Sequence, residues 1–212
     1  MRPLPPLAFL ALVVVVSAAS TALLAQTPRI TSPPDGTVVK PGDTMTVTVK
    51  VSGGTVPSLA LLTENPIGYT KVLMAPPYNF EIRIPSEISL QRYSVSALCY
   101  VGEEAKVAQI LIDVERPDAP EKLAVNFRAL ELEVGESVCS SARATYADGI
   151  EAGVTYSTLT KWSSDSPEVA TVIDGRVSAV GPGSAKISVE NGGQVAVVPV
   201  TVKNAEPAGQ RR

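Results

Sequence analysis

Lys161 to Val189 reads KWSSDSPEVATVIDGRVSAVGPGSAKISV, and this stretch decides the fold. The chain's single Trp, Trp162, closes one short run, and the polar turn Ser163-Ser164-Asp165-Ser166-Pro167 follows it. Three short apolar runs come next, punctuated by Asp174-Gly175 and by Gly181-Pro182-Gly183. Asp-Gly suits the positive φ angles of a two-residue hairpin loop, and Pro and Gly interrupt a ladder where the chain must reverse. The spacing predicts a meander of short antiparallel strands.

Working outward, the same rhythm holds on both sides. Leu123, Val125 and Phe127 alternate as one strand; Leu130, Leu132 and Val134 make another, ended by Gly135-Glu136. Val138 to Tyr146 is read as one strand closed by the turn Ala147-Asp148-Gly149, and Gln194 to Val202 as the last. This region, residues 121–203, is expected to be one β-sandwich. Residues 116–120, Arg116-Pro117-Asp118-Ala119-Pro120, read as a short stiff linker, because two prolines disfavour a ladder.

Residues 27–115 are expected to be a first sandwich. Ile30 to Gly36 reads as an edge strand and a turn. Met45, Val47, Val49 and Val51 alternate with polar residues, so one face is buried and one wet. Apolar runs follow at Ser58–Leu62, Tyr69–Met74 and Asn79–Ile84. A long hairpin, Tyr93–Val101 and Ala105–Val114, turns through Gly102-Glu103-Glu104. About seven strands in about 85 residues is sandwich spacing.

The motifs also carry a resemblance. The run W-S-S-x-x-P-x-V-A-T-V, then G-x-V-x-A-V-G-x-G, with V-G-E at Val134 to Glu136 and A-T-Y-A-D-G at Ala144 to Gly149, resembles the bacterial immunoglobulin-like group 2 (BIG2) domain. In the first half, I-T-S-P-x-D-G-x-x-V, A-P-P-Y-x-F (Ala75 to Phe80) and Y-S-V-S-A resemble the immunoglobulin-like domains appended to bacterial secreted proteins. The resemblance implies an all-β chain of two tandem immunoglobulin-like sandwiches. It also implies a non-catalytic role in cell-surface adhesion or polysaccharide attachment. One group 2 domain where many surface proteins string several together speaks against a long stalk.

The ends and the composition narrow the classes. Arg2 and the apolar run Leu7 to Leu24 predict a signal peptide over residues 1–25, cut after Ala25 or near Ala19 or Ala22; an uncleaved anchor is the alternative. The chain is therefore expected to be exported, to the cell surface, the periplasm or the medium. Residues 204–212 read as a disordered polar tail. A net charge of −3 offers no basic field for nucleic acid. The chain has no His, which removes Ser-His-Asp and Cys-His nucleophiles and every His-based metal site. No cofactor, metal or catalytic residue is expected.

Individual residues carry competing readings. Trp162 is either a sugar-stacking platform or a core plug beside a turn; the resembled family packs this position in its core. Gly181 and Gly183 are structural turn residues. Asp165, Glu168 and Asp174 either share a calcium ion or serve ordinary turns. Asp165 and Glu168 also stand as ligand contacts. Glu103-Glu104 at a hairpin tip has no cleft for a carboxylate pair. Tyr100, out of phase with the inward residues of its strand, is the aromatic best placed to touch a ligand. Cys99 and Cys139 either form a disulfide across the linker, or Cys99 points inward and Cys139 outward.

Two partner classes fit these readings. One is a cell-wall or extracellular polysaccharide held by an adhesion module. The other is an envelope protein, with this chain docking as an accessory subunit through a sheet edge.

Overall fold

The computed structural model describes residues 26–205. The leader expected over 1–25, and the tail beyond residue 205, lie outside the described residues. Every helix or strand element among the described residues is a strand, so the chain is all-β.

Alternation builds the first half. Its strands are β1 (Thr27–Ser32), β2 (Thr37–Val39), β3 (Thr44–Ser52), β4 (Leu59–Thr63), β5 (Thr70–Leu73), β6 (Tyr78–Arg83), β7 (Gln91–Val101) and β8 (Glu104–Val114). They form a three-stranded sheet, β1-β3-β6, and a five-stranded sheet, β2-β8-β7-β4-β5. The short β2 runs parallel to β8. It is pinned by the turn before it, where Asp35 Oδ1 accepts the Leu111 N–H at 2.7 Å. Val47, Val49, Phe80 and Ile82 face Leu59, Leu61, Tyr93, Val95 and Ile112 across the sandwich, all buried. The buried tyrosines keep their hydroxyls paired: Tyr93 donates to Ser89 O at 2.9 Å, and Tyr78 to Val56 O at 3.1 Å. Burial, with Glu64 nearby, pushes the Tyr93 phenol up to about 12.

The second half uses shorter pieces: β9 (Lys122–Val125), β10 (Leu130–Glu133), β11 (Ser137–Cys139), β12 (Ala142–Thr145), β13 (Glu151–Gly153), β14 (Thr160–Ser164), β15 (Ala170–Ile173), β16 (Arg176–Ala179), β17 (Gly183–Asn191) and β18 (Gln194–Lys203). The orders are β10-β18-β17-β14, β11-β16-β15 and β13-β12-β9. Ala170, Val177, Ala179, Ala185, Ile187, Val198, Val200 and Val202 fill the space between them. No described sheet mixes strands from the two halves.

Two sequence expectations change here. The run Val138 to Tyr146 is not one strand. It breaks at Ser140-Ser141, because Asn126 Oδ1 accepts from the Ser140 hydroxyl at 3.0 Å and from the Ser141 N–H at 2.8 Å. That bracket lets β11 and β12 belong to different sheets. The region after Trp162 is not a simple meander either. β14 pairs with β17, while the β15–β16 hairpin crosses to pair with β11. The Asp174-Gly175 loop itself is the expected two-residue reversal, with φ of 47° and 80°.

The apolar core does not stop between the halves. Leu123, Ala142, Ala144, Tyr146, Ala152 and Val154 are continuous with the core of the first sandwich. Pro120, in the expected linker, is buried.

Candidate functional site

The outer face of the five-stranded sheet is the surface that stands out. In β7 the inward residues Tyr93, Val95, Ala97 and Cys99 are buried, so Ser94, Ser96, Leu98 and Tyr100 face outward. Register carries this across the sheet. Leu98 pairs with Val107 of β8 and Ala60 of β4, and Ala60 pairs with Val72 of β5. Val72, Ala60, Leu98 and Val107 thus form one apolar row across four strands. Thr70, Leu62, Ser96 and Gln109 form the next row. Tyr100 and Ala105 pair on the other flank. Tyr100 is 55% exposed, Val107 60% and Val72 52%.

These rows hold no charged residue. The charges of this face sit at its far end and are already engaged: Arg92 grips the Asp113 carboxylate with two bonds, at 2.7 and 3.1 Å. Glu64 accepts the Ser94 N–H. The result is a flat, neutral surface of aliphatic and hydroxyl groups with one tyrosine ring standing on it.

The carboxylates singled out from the sequence are not brought together. Asp165 Oδ1 accepts the Lys186 N–H at 2.7 Å, and its own N–H returns to Lys186 O at 3.1 Å. It therefore pins the end of β14 to β17. Glu168 is exposed on the next turn, and Asp174 sits in the hairpin loop. No three carboxylate or cysteine side chains converge on a metal position among the described residues. At the β7–β8 tip, Glu104 pairs with Lys106.

Trp162 is half-buried and packs against both apolar clusters, its Nε1 donating to Thr155 O at 3.1 Å. Gly181 and Gly183 lie where a side chain would collide: a Cβ would meet Glu168 O at 2.8 Å in the first case and Val169 Cγ2 at 3.0 Å in the second. Cys99 is buried and Cys139 exposed, and both are free, so no disulfide joins the halves. Burial pushes the Cys99 thiol up.

Sequence reasoning picked out Tyr100 and missed the row beside it. The signal was present. A hairpin loop of Gly102-Glu103 fixes Leu98 opposite Val107, and both are apolar at positions where the alternation calls for polar residues.

No family model matches the chain, and no curated protein matches it. Among solved structures, it is similar to Clostridium thermocellum CbhA fibronectin(III)-like modules at 14% identity, covering 88% of this chain and 100% of that one, with a TM-score of 0.37. Surface layer protein SbsC, domains 1–6, is 18% identical over 89% of this chain and 29% of that one, at 0.39. Bacteroides uniformis beta-glucuronidase 3 is 14% identical, covering 83% of this chain and 25% of the enzyme, at 0.33. Such likenesses decide neither ligand nor activity. The chain's own strand order and paired inner faces make it a tandem of immunoglobulin-like β-sandwiches.

Proposed function

We propose that this chain is an exported, non-catalytic member of the bacterial immunoglobulin-like group 2 kind, and that it attaches to neutral polysaccharide. The outer face of the five-stranded sheet is its contact surface. The observation that supports this reading is the set of uncharged rows around exposed Tyr100. A neutral sugar chain presents flat C–H faces and hydroxyls, and it needs no countercharge. Tyr100 offers a ring for a sugar face, and on the other side of the apolar row Thr70 and the Gln109–Ser96 pair, joined at 3.3 Å, offer hydrogen-bonding groups.

The test is a pelleting assay with insoluble neutral and anionic polysaccharides across a salt series. Saturable, salt-tolerant pelleting with a neutral glycan, weakened about tenfold by Tyr100→Ala, is the expected result. About 2.5 kcal/mol would come from covering the exposed half of a tyrosine completely, and one-sided stacking takes roughly half of that. No pelleting with any neutral glycan, or full binding by Tyr100→Ala, overturns the reading.

A second reading is docking of an envelope protein on the β5 edge. It is favoured by Val72 and by Met74 just beyond the strand, the latter 72% exposed. Crosslinking in the native envelope tests it. A partner captured at Met74→Cys supports it, and a chain that crosslinks to no protein from that position sinks it.

A further inference from the structure

We infer that the two sandwiches are latched into one rigid body, making the chain a fixed-angle spacer and not a hinged pair. The latch is built at the end of β8. Glu115 is 4% exposed, and its own N–H donates to Val39 O at 3.0 Å, which ties it to the first sandwich. Its carboxylate reaches the other half. Oε2 accepts the Ser157 hydroxyl at 2.8 Å, and Oε1 accepts the Thr158 N–H at 2.8 Å and the Thr158 hydroxyl at 3.1 Å. Both oxygens of a buried carboxylate are thus satisfied by the neighbouring sandwich, and hydrogen bonds to an ionised group are the strong kind. Bending the joint would strip these bonds from a buried carboxylate, which is costly.

Three further contacts accompany it. Arg116 lies with its guanidinium carbon 4.4 Å from the centre of the Tyr146 ring and pairs with Asp148 at 2.5 Å. The Leu90 N–H donates to Gly153 O at 2.8 Å, where the backbones come so close that a Cβ on Gly153 would meet Ser89 Oγ at 2.9 Å. Pro120 is wedged against Gly192, whose Cβ position lies 2.5 Å from the Pro120 ring. One contact leaves a pivot and two leave an axis. The Glu115-Arg116 end of β8 and Leu90 on Gly153 give two separate points of attachment, and the continuous apolar core beside them resists rotation about the axis they leave.

The experiment uses the full chain with two spin labels, one on exposed native Cys139 and one on Lys50→Cys of β3. Buried Cys99 stays unlabelled. The parent is expected to give a single narrow distance distribution, and label pairs moved to other exposed sites are expected to give their own distances just as narrowly. Glu115→Ala removes the latch from one side, and the pair Ser157→Ala with Thr158→Val takes two of its three bonds from the other, leaving only the Thr158 N–H. Each is expected to widen the distribution at least twofold while circular dichroism shows both sandwiches still folded. A broad distribution in the parent overturns the inference whatever the variants do. Narrow distributions in folded variants overturn the role of Glu115.

Discussion

Gly175→Ala separates two penalties that a hairpin glycine can conceal. Gly175 has a φ of 80°, and an L-residue in that region costs roughly 1–2 kcal/mol. Space adds a second penalty. A Cβ on Gly175 would sit 2.3 Å from the Ser140 carbonyl oxygen and 3.0 Å from Thr155 Cγ2. A backbone oxygen cannot swing aside as a side chain can, so the β15–β16 hairpin must lift from the Ser140 turn. The Ser140 N–H to Gly175 O bond, 2.7 Å long, goes with it. Leaving those groups unpaired costs roughly 1–3 kcal/mol, so the total is roughly 2–5 kcal/mol. Gly149 is the control: its φ is also 80°, and nothing lies within 4 Å of its Cβ position. Gly149→Ala should carry the conformational penalty alone. Thermal melts of the two variants are expected to differ by about 2–12 °C, Gly175→Ala being lower, if the chain melts as one unit at roughly 2–4 °C per kcal/mol. Equal losses in the two variants would show that the close approach to Ser140 has no energetic weight.

Three other outcomes follow from single side chains. In the native protein a maleimide should modify Cys139 alone, and Cys99 should react only in denaturant; mass spectrometry reading two adducts without denaturant would contradict the burial of Cys99. Trp162→Phe deletes the indole donor to Thr155 O, and a loss of roughly 1 kcal/mol in urea titration is expected, with no loss as the contrary result. Asp148 is held below the usual carboxylate range, first by the hydrogen bond from Arg116 and next by the Ile150 N–H. A depressed carboxyl stabilises above its unfolded value of about 3.9, and that stability is lost as the pH falls through the lower folded value. The spin-label distribution should therefore broaden below about pH 4, and Asp148→Asn should remove that share of the acid dependence.

Strand positions were legible because they rest on local periodicity. The alternation in β3 and β7 and the glycines of the turns are properties of adjacent residues. The Asp174-Gly175 reversal was legible for the same reason. The break at Ser140-Ser141 was not, because Asn126 makes it from fourteen residues away. Nor was the sheet change of β15 and β16. A hairpin is encoded locally, but the sheet it joins is chosen by the partner strand, here β11. The neutral face lies between these cases. Each apolar residue of the Val72, Ala60, Leu98 and Val107 row reads as unremarkable alone, and only register brings the four together.

The joint marks the limit of local reading for a physical reason. Val-Glu-Arg-Pro-Asp-Ala-Pro reads as a polar, proline-bearing connection, and charged residues beside prolines are ordinarily solvated. Glu115 is buried because Ser157 and Thr158, some forty residues later, turn three donors toward it. Arg116 is drawn in by a tyrosine and an aspartate from another loop. In a chain without that 157–158 turn the prolines would still stiffen the segment, but its charged residues would stay in water, since no local preference in the segment selects burial. Rigidity between the halves is therefore carried by the second sandwich as much as by the segment that joins them. For that reason the Ser157→Ala, Thr158→Val pair, which leaves the connecting segment untouched, is the stricter test: if the joint loosens in that variant, the stiffness comes from the latch and not from the prolines.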